Sequence, residues 1–376
     1  MSKKKLTYII NADWYFRLHW FDRAIAATTH YEVSVICPSN DPAFISECKE
    51  NGITHFDFKI SRTGKNIFYE IKKLYELNKL LNLIMPDIIH SVTIKPNLYL
   101  SILKPRNVSV VMTFAGLGTL RTSSGLTGHM ILALLKILMS SWNNREKVIS
   151  LFENSDDLNY LTQGLSFKKT RCYRVFGAGV NMEHFSPTPL DKTTLPKILF
   201  ASRMLKDKGL KELVDAIRIV NSEKKICELY VAGIIDSESP LSYTELEIQI
   251  MAANEDFIWL GKRDDISKLI SQSIAVCLPT RYGEGVPRIL IEALACARPI
   301  ITTSYGGCKD ICLNNITGFQ IDPNNIEEIA ERIKKLISEP NLAIELGLNG
   351  RNLVEKKFSN EIIINQNLNF YELVSI

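Results

Sequence analysis

Short apolar runs rich in Val and Ile alternate with longer amphipathic stretches along this chain, and the rhythm occurs twice. In the first half the pattern predicts strands at 6–10, 31–37, 53–57, 87–91, 108–114, 148–152 and 173–176. In the second half it predicts them at 197–201, 227–232, 257–260, 274–278 and 299–303. Several are apolar from end to end, as parallel strands covered on both faces must be. Strand and helix in strict alternation give an α/β architecture with parallel sheets. Between the halves, residues 177–196 hold Gly177, Gly179 and three prolines without periodicity. At 376 residues the chain exceeds what one hydrophobic core usually serves. The expected organisation is a Rossmann-like domain over 1–180, a linker over 181–196, a second Rossmann-like domain over 197–355 and a C-terminal helix within 356–376 that starts after Ser359.

Composition removes several classes. Charged residues make up 23% and hydrophobic ones 46%, an ordinary globular balance. The eight cysteines form no C-x-x-C pair and have no His or Cys cluster at zinc spacing, so neither a disulfide framework nor a structural metal is expected. The apolar run after the basic start breaks at Asn11 and Asp13, too soon for an export signal. The run 130–139 carries Lys136 and is too short to span a bilayer. These features predict a cytoplasmic protein. Charge is uneven: residues 1–180 hold 23 basic and 14 acidic residues, net +9, and residues 181–376 hold 22 and 27, net −5. A basic first half points to an anionic partner, either a lipid surface or a pyrophosphate-bearing substrate, with chance asymmetry as the competing reading. Nucleic acid is not expected, because no basic run exceeds Lys3–Lys5. The segment 126–142, ending near Trp142, Arg145 and Lys147, reads equally well as an interfacial helix or as a buried one.

Two stretches carry chemistry. In 279–307 a strand ends at Leu278, a glycine-containing loop follows, and a helix begins near Pro287, a residue suited to a first turn. The N–H groups of Val286, Arg288 and Ile289 and the helix dipole suit a phosphate, and Gly283 and Gly285 permit close approach. Glu284 and Glu292 lie eight residues apart, and a carboxylate there suits a ribose diol. In 200–217 a strand leads into a loop with Arg203, Lys206 and Lys208, then Gly209 and a helix, an arrangement suited to a pyrophosphate. No D-x-D occurs, so no metal clamp is suggested. The run "GLGTLR" ends in Arg121 and does not complete a dinucleotide fingerprint.

The pairing of "ASRMLKDKG" with "EGVPRILIEALACARPII" resembles the GT-B-fold glycosyltransferases of family 4, in which an E-x7-E motif and an upstream Arg and Lys bind a sugar nucleotide. "GAGVNMEHFSP" (177–187), "LGKRDDISKLI" (260–270), "GGCKDI" (306–311) and Gly318 extend the likeness. In the first half, "NADWYFRLHW", "SVTIKPN" and "FAGLGTL" are similar to bacterial members that extend lipid-linked glycans. The resemblance implies two Rossmann-like domains facing a cleft, a C-terminal helix that packs back on the first, and retention of anomeric configuration. It implies a nucleotide-sugar donor, most often UDP-linked, no other cofactor or metal, and a polyprenyl-pyrophosphate-linked acceptor at the inner face of the cell membrane. By family role Glu292 holds the ribose, Glu284 the donor sugar, and Arg203 and Lys208 the leaving diphosphate. The backbone at Gly285, Val286, Pro287 and Arg288 contacts sugar or phosphate. Arg17, His19, Lys95, Gly116 and Gly118 fall on the acceptor side. Two departures stand out: Ile94 occupies a position where some relatives carry His, with His90 on the strand before it, and Asp310 stands where many carry Glu. A UDP-sugar 2-epimerase of the same fold and a non-catalytic subunit are the competing readings.

Overall fold

A computed structural model describes residues 2–60, 67–117, 137–164, 167–190, 193–236, 239–253, 256–281, 283 and 285–375. The chain forms two compact units, one of Met1–Ala178 with Glu361–Ile376, the other of Gly179–Asn360.

The first unit is built on strands β1 (Lys4–Ile9), β2 (Tyr31–Cys37), β3 (Ile53–Asp57), β4 (Ile88–Val92), β5 (Ser109–Phe114), β6 (Val148–Phe152) and β7 (Cys172–Arg174). They form one parallel sheet in the order β3-β2-β1-β4-β5-β6-β7. The helices are α1 (Asp13–His19), α2 (Phe21–Ala27), α3 (Pro42–Glu50), α4 (Ile67–Ile84), α5 (Ile94–Leu103) and α6 (Ser155–Gly164). Side chains alternate across the sheet, as the pleat requires. Leu6, Tyr8, Val33 and Val35 enter one apolar cluster, and Ile9, Ile36 and Ile89 enter the other. Both faces are thus covered, which explains why these strands read as continuous apolar runs.

The second unit has β8 (Lys197–Arg203), β9 (Glu228–Ile234), β10 (Ile258–Trp259), β11 (Ala275–Leu278), β12 (Ile300–Thr303) and β13 (Gly318–Ile321), in the order β10-β9-β8-β11-β12-β13. Its helices are α7 (Leu210–Val220), α8 (Glu245–Ala252), α9 (Ile266–Ser271), α10 (Arg288–Ala295), α11 (Cys308–Ile311), α12 (Ile326–Ser338) and α13 (Pro340–Lys357). A last helix, α14 (Asn360–Ser375), returns to the first unit, where Tyr371 and Val374 join the core. Within 181–196, the Thr188 carbonyl accepts from Arg298 Nη2 (2.6 Å) and the Phe185 carbonyl from Arg351 Nη1 (2.9 Å).

The predicted strands all occur. The strand predicted at 257–260 keeps only two residues, and β13 was not predicted. β13 opens on Gly318, whose backbone φ of +159° brings it so close to β12 that a Cβ would lie 1.9 Å from the Ile300 carbonyl oxygen. A four-residue strand that starts on glycine carries little apolar signal. Of 126–142, residues 126–136 lie outside the described residues; residues 137–143 are helical, with Met139 and Trp142 buried and Ile137 exposed. Among the described residues, no helix is long and apolar enough to cross a membrane.

Candidate active site

In each sheet the strand order reverses once, between β1 and β4 and between β8 and β11, and open α/β sheets bind ligands at the carboxyl ends flanking such a point. In the second unit the loops after β8, β11 and β12 converge there. β8 runs through Arg203 into a 3-10 turn, Lys206–Lys208, and then Gly209 at φ +82°. A Cβ on Gly209 would lie 2.2 Å from the Pro279 carbonyl oxygen, so only glycine lets this turn sit against the end of β11. The Asp207 carbonyl accepts from Arg281 N (2.8 Å) and Thr280 Oγ1 (3.3 Å). Thr302 and Thr303 at the end of β12 donate to the carbonyls of Leu278 (2.7 Å) and Thr280 (2.9 Å). A Cβ on Gly307 would lie 1.6 Å from the Gly285 carbonyl oxygen. The 306–307 turn therefore packs backbone against backbone on the loop that opens α10.

Two cations sit in this frame. Lys208 is only 6% exposed. Burial, then the nearby positive charge of Arg203, pushes its ammonium down to about 7. Arg203 is held by Asp236, Nη1 to Oδ2 at 2.9 Å, and is one-third exposed. The two cations repel each other in a desolvated site, and an anion placed between them would relieve that cost.

Glu292 is buried on α10, in contrast to an ordinary solvated helix glutamate. Arg288, one turn earlier, donates from Nε to its Oε1 at 2.6 Å. Burial raises the Glu292 carboxyl, opposed by Arg288 and by the charge of His184. Pro287 is the residue before the first helical one rather than within the turn, with φ −61° and ψ 122°. Arg288 was expected to contribute its backbone; its side chain also orients Glu292. Glu284 lies outside the described residues.

On the first unit, Lys95 at the start of α5 pairs with Glu70 of α4 (Nζ to Oε1, 2.8 Å), and Tyr99 donates to the other Glu70 oxygen. Thr93, just before it, has φ +73°, a strained backbone conformation for a non-glycine residue. Asn97 is buried and donates to the Thr113 carbonyl (3.0 Å). Arg17 pairs with Glu47 (2.7 Å) and Asp41 (3.4 Å), and His19 lies 4.4 Å from the Tyr15 ring. Gly116 has φ +107°, and Gly118 lies outside the described residues. Arg17 and Lys95 thus engage separate sets of acids. His90 is on β4 and buried: Nδ1 meets the Tyr371 hydroxyl (2.6 Å) and Nε2 meets Thr113 Oγ1 (2.7 Å). Burial lowers its pKa well below the ordinary value, so it is a neutral core group. Sequence reasoning missed Asp236, His184 and the close packing of Gly307; the Gly-Gly pair at 306–307 was the available signal for the last.

The model for "Glycosyl transferases group 1" matches residues 182–353, and that for "Glycosyl transferase 4-like" matches residues 5–150. The chain is a group 1 glycosyltransferase of the GT-B fold. The enzyme is 28% identical over 313 residues, 79% of each chain, to the capsular polysaccharide biosynthesis glycosyltransferase CapM of Staphylococcus aureus. It is 25% identical over 359 residues, 91% of each chain, to the N,N'-diacetylbacillosaminyl-diphospho-undecaprenol alpha-1,3-N-acetylgalactosaminyltransferase of Campylobacter jejuni. Its fold matches Anabaena HepE in complex with UDP at a TM-score of 0.77 and 16% identity, covering 98% of this chain and 99% of that one. Among the described residues of the glycosyltransferase, no group of three His, Cys, Asp or Glu side chains could hold a metal ion.

Proposed function

We propose that this glycosyltransferase moves one hexosyl or N-acetylhexosaminyl group, with retention of configuration, from a UDP-sugar to a polyprenyl-pyrophosphate-linked glycan during surface-polysaccharide synthesis. The observation that carries the reading is the buried Lys208 beside Arg203 at the β8–β11 switch point, one loop from the buried Glu292. The UDP assignment is supported by the fold shared with a UDP-binding structure. The lipid-linked acceptor is supported by the diphospho-undecaprenol substrate named for the Campylobacter relative and by the basic first half.

In this reading the bond from the anomeric carbon to the β-phosphate oxygen breaks. Positive charge grows on the sugar and negative charge on the departing diphosphate. Lys208 from a buried position, and Arg203 from one fixed by Asp236, stabilise that negative charge. The N–H groups of Arg288 and Ile289, ahead of the first bonds of α10, add to it. Glu292, oriented by Arg288, accepts from the ribose hydroxyls. Glu284 supports the donor sugar, and the first turn of α5 at Lys95 faces the acceptor.

The test is transfer. The purified enzyme is incubated with UDP-glucose, UDP-galactose and their N-acetylated counterparts, together with a synthetic polyprenyl-pyrophosphate saccharide. Mass spectrometry is expected to show one added sugar from one donor, and proton NMR an α linkage. UDP release without a change in the acceptor, or epimerised UDP-sugar as the only product, would refute it.

A further inference from the structure

Arg281 follows shortly after the end of β11 and touches the chain on both sides of Lys208. Its N–H donates to the Asp207 carbonyl at 2.8 Å, and its Nη2 donates to Glu212 Oε1 at 2.8 Å. Asp207 lies beside Lys208 in the 3-10 turn, and Glu212 lies in the first turn of α7, which follows directly. The guanidinium is held from a third side. Nε donates to Asn324 Oδ1 (3.0 Å) and Nη2 to the Pro323 carbonyl (3.4 Å), both between β13 and α12. Its donors lie in one rigid plane, so these contacts together fix its orientation as a rotating ammonium would not. Glu212 Oε2 is buried and has no hydrogen-bond partner among the described residues, so this carboxylate depends on Arg281 for compensation.

We propose that Arg281 is a positioning residue for sugar transfer: it clamps the chain on both sides of Lys208 and so keeps the ammonium where the departing diphosphate needs it. This rests on the donor-site reading above. The clamp acts through the backbone. Thr280 Oγ1 reaches the same Asp207 carbonyl (3.3 Å), so the end of β11 and the 3-10 turn are tied at one atom from two residues. Fixed placement matters because a charge stabilises a transition state best when it does not have to reorganise as the reaction proceeds. It matters also for the protonation of Lys208. Burial favours the neutral amine most, Arg203 adds to this, and Cys308 and Asp207 oppose it. A loosened turn admits water, which restores the ordinary preference for the ammonium. The placement of Lys208 therefore has a proton count as its signature, one that a loss of overall stability does not produce.

Three variants test the proposal. Arg281→Met keeps the stem and removes the donors. Arg281→Lys keeps the charge. Arg281→Met with Glu212→Gln also removes the carboxylate left unpaired. Arg281→Met is expected to lower kcat for transfer from the UDP-sugar by on the order of 10–100-fold, the scale of a small misplacement of a catalytic group. UDP affinity is expected to fall less, because Glu292 and α10 hold the nucleotide apart from this turn. Calorimetry at pH 8 in two buffers of different ionisation enthalpy is expected to show less proton uptake on UDP binding than in wild type. Arg281→Lys is expected to fall between the two. The double variant is expected to regain stability in denaturant unfolding and to regain neither kcat nor proton uptake. Arg281→Met with wild-type kcat and proton uptake would overturn the proposal. So would a double variant whose kcat returns with its stability, since the role is then structural. Hydrogen exchange over 205–212 reads the clamp without a nucleotide and is expected to be faster in Arg281→Met; unchanged exchange would also overturn the proposal. A wild type that binds no UDP, while exchange over 205–212 still depends on Arg281, would refute the donor reading and leave the clamp standing.

Discussion

Lys208 is the most exposed point of the account to experiment. A buried ammonium with a pKa near 7, against the ordinary 10.5, means that the folded protein resists protonation there. The shift corresponds to roughly 4–5 kcal/mol at 1.36 kcal/mol per pKa unit. The sign follows from linkage. Between about pH 7 and 10.5 the unfolded chain binds more protons at this site than the folded one, so stability rises with pH across that window. Below pH 7 the cost is present in full. Lys208→Met keeps the stem and removes the charge. It is expected to raise the stability of the second unit by a few kcal/mol at pH 6–7, with the gain shrinking as pH rises towards 10. Function shifts the other way. A bound diphosphate returns Lys208 to the charged state, so UDP binding at pH 8, above the free group's pKa of about 7, takes up most of one proton. Calorimetry in two buffers of different ionisation enthalpy reads that uptake directly. Lys208→Met is expected to abolish it and to lower turnover by on the order of 10²-fold, the scale of a lost electrostatic stabiliser. Wild-type binding at pH 8 with no proton uptake, or a variant that takes up the same proton, would refute the reasoning.

Three further outcomes follow from the same geometry. Arg288→Ala removes the cation that opposes burial at Glu292; the carboxyl pKa is expected to rise further, and nucleotide affinity to decline at a higher pH on acidification than in wild type, read by UDP titrations from pH 8 to 5. Gly307→Ala would place a Cβ against the Gly285 carbonyl; it is expected to cost ~1–3 kcal/mol of stability in denaturant unfolding, as overpacking does, and to weaken UDP binding with it. Tyr371→Phe removes the hydroxyl shared by Tyr8 and His90 and is expected to destabilise the first unit by ~1–3 kcal/mol, with donor-nucleotide affinity unchanged.

Much of the fold was legible because parallel strands covered on both faces write themselves as apolar runs. β5 and β6, buried at every residue, were placed almost to the residue. β13 was not legible, because its signal is a close approach at Gly318 and not an apolar run. In the candidate site, Arg203, Lys208 and Glu292 were legible as residue types at loop and helix positions after strands. Their environments were not. Burial of Lys208 and the Asp236 tether on Arg203 depend on which strands lie side by side, which spacing along the chain does not encode; the Arg288 tether on Glu292 is an i,i+4 pair within one helix, and that spacing was open to reading. The acid partners of Arg17 and Lys95 were hidden for the same reason: Glu47 and Glu70 come from helices 30 and 25 residues away.

In the proposed function the second unit binds a uridine diphosphate sugar through Glu292 and the Arg203–Lys208 pair. Calorimetric titration of UDP, GDP and ADP into the wild type and Glu292→Ala tests it most directly. Selective UDP binding is expected, weakened in Glu292→Ala by ~1–3 kcal/mol, the scale of a lost buried hydrogen-bond partner. Equal binding of all three nucleotides, selective binding of another, or UDP affinity untouched by the substitution would contradict it.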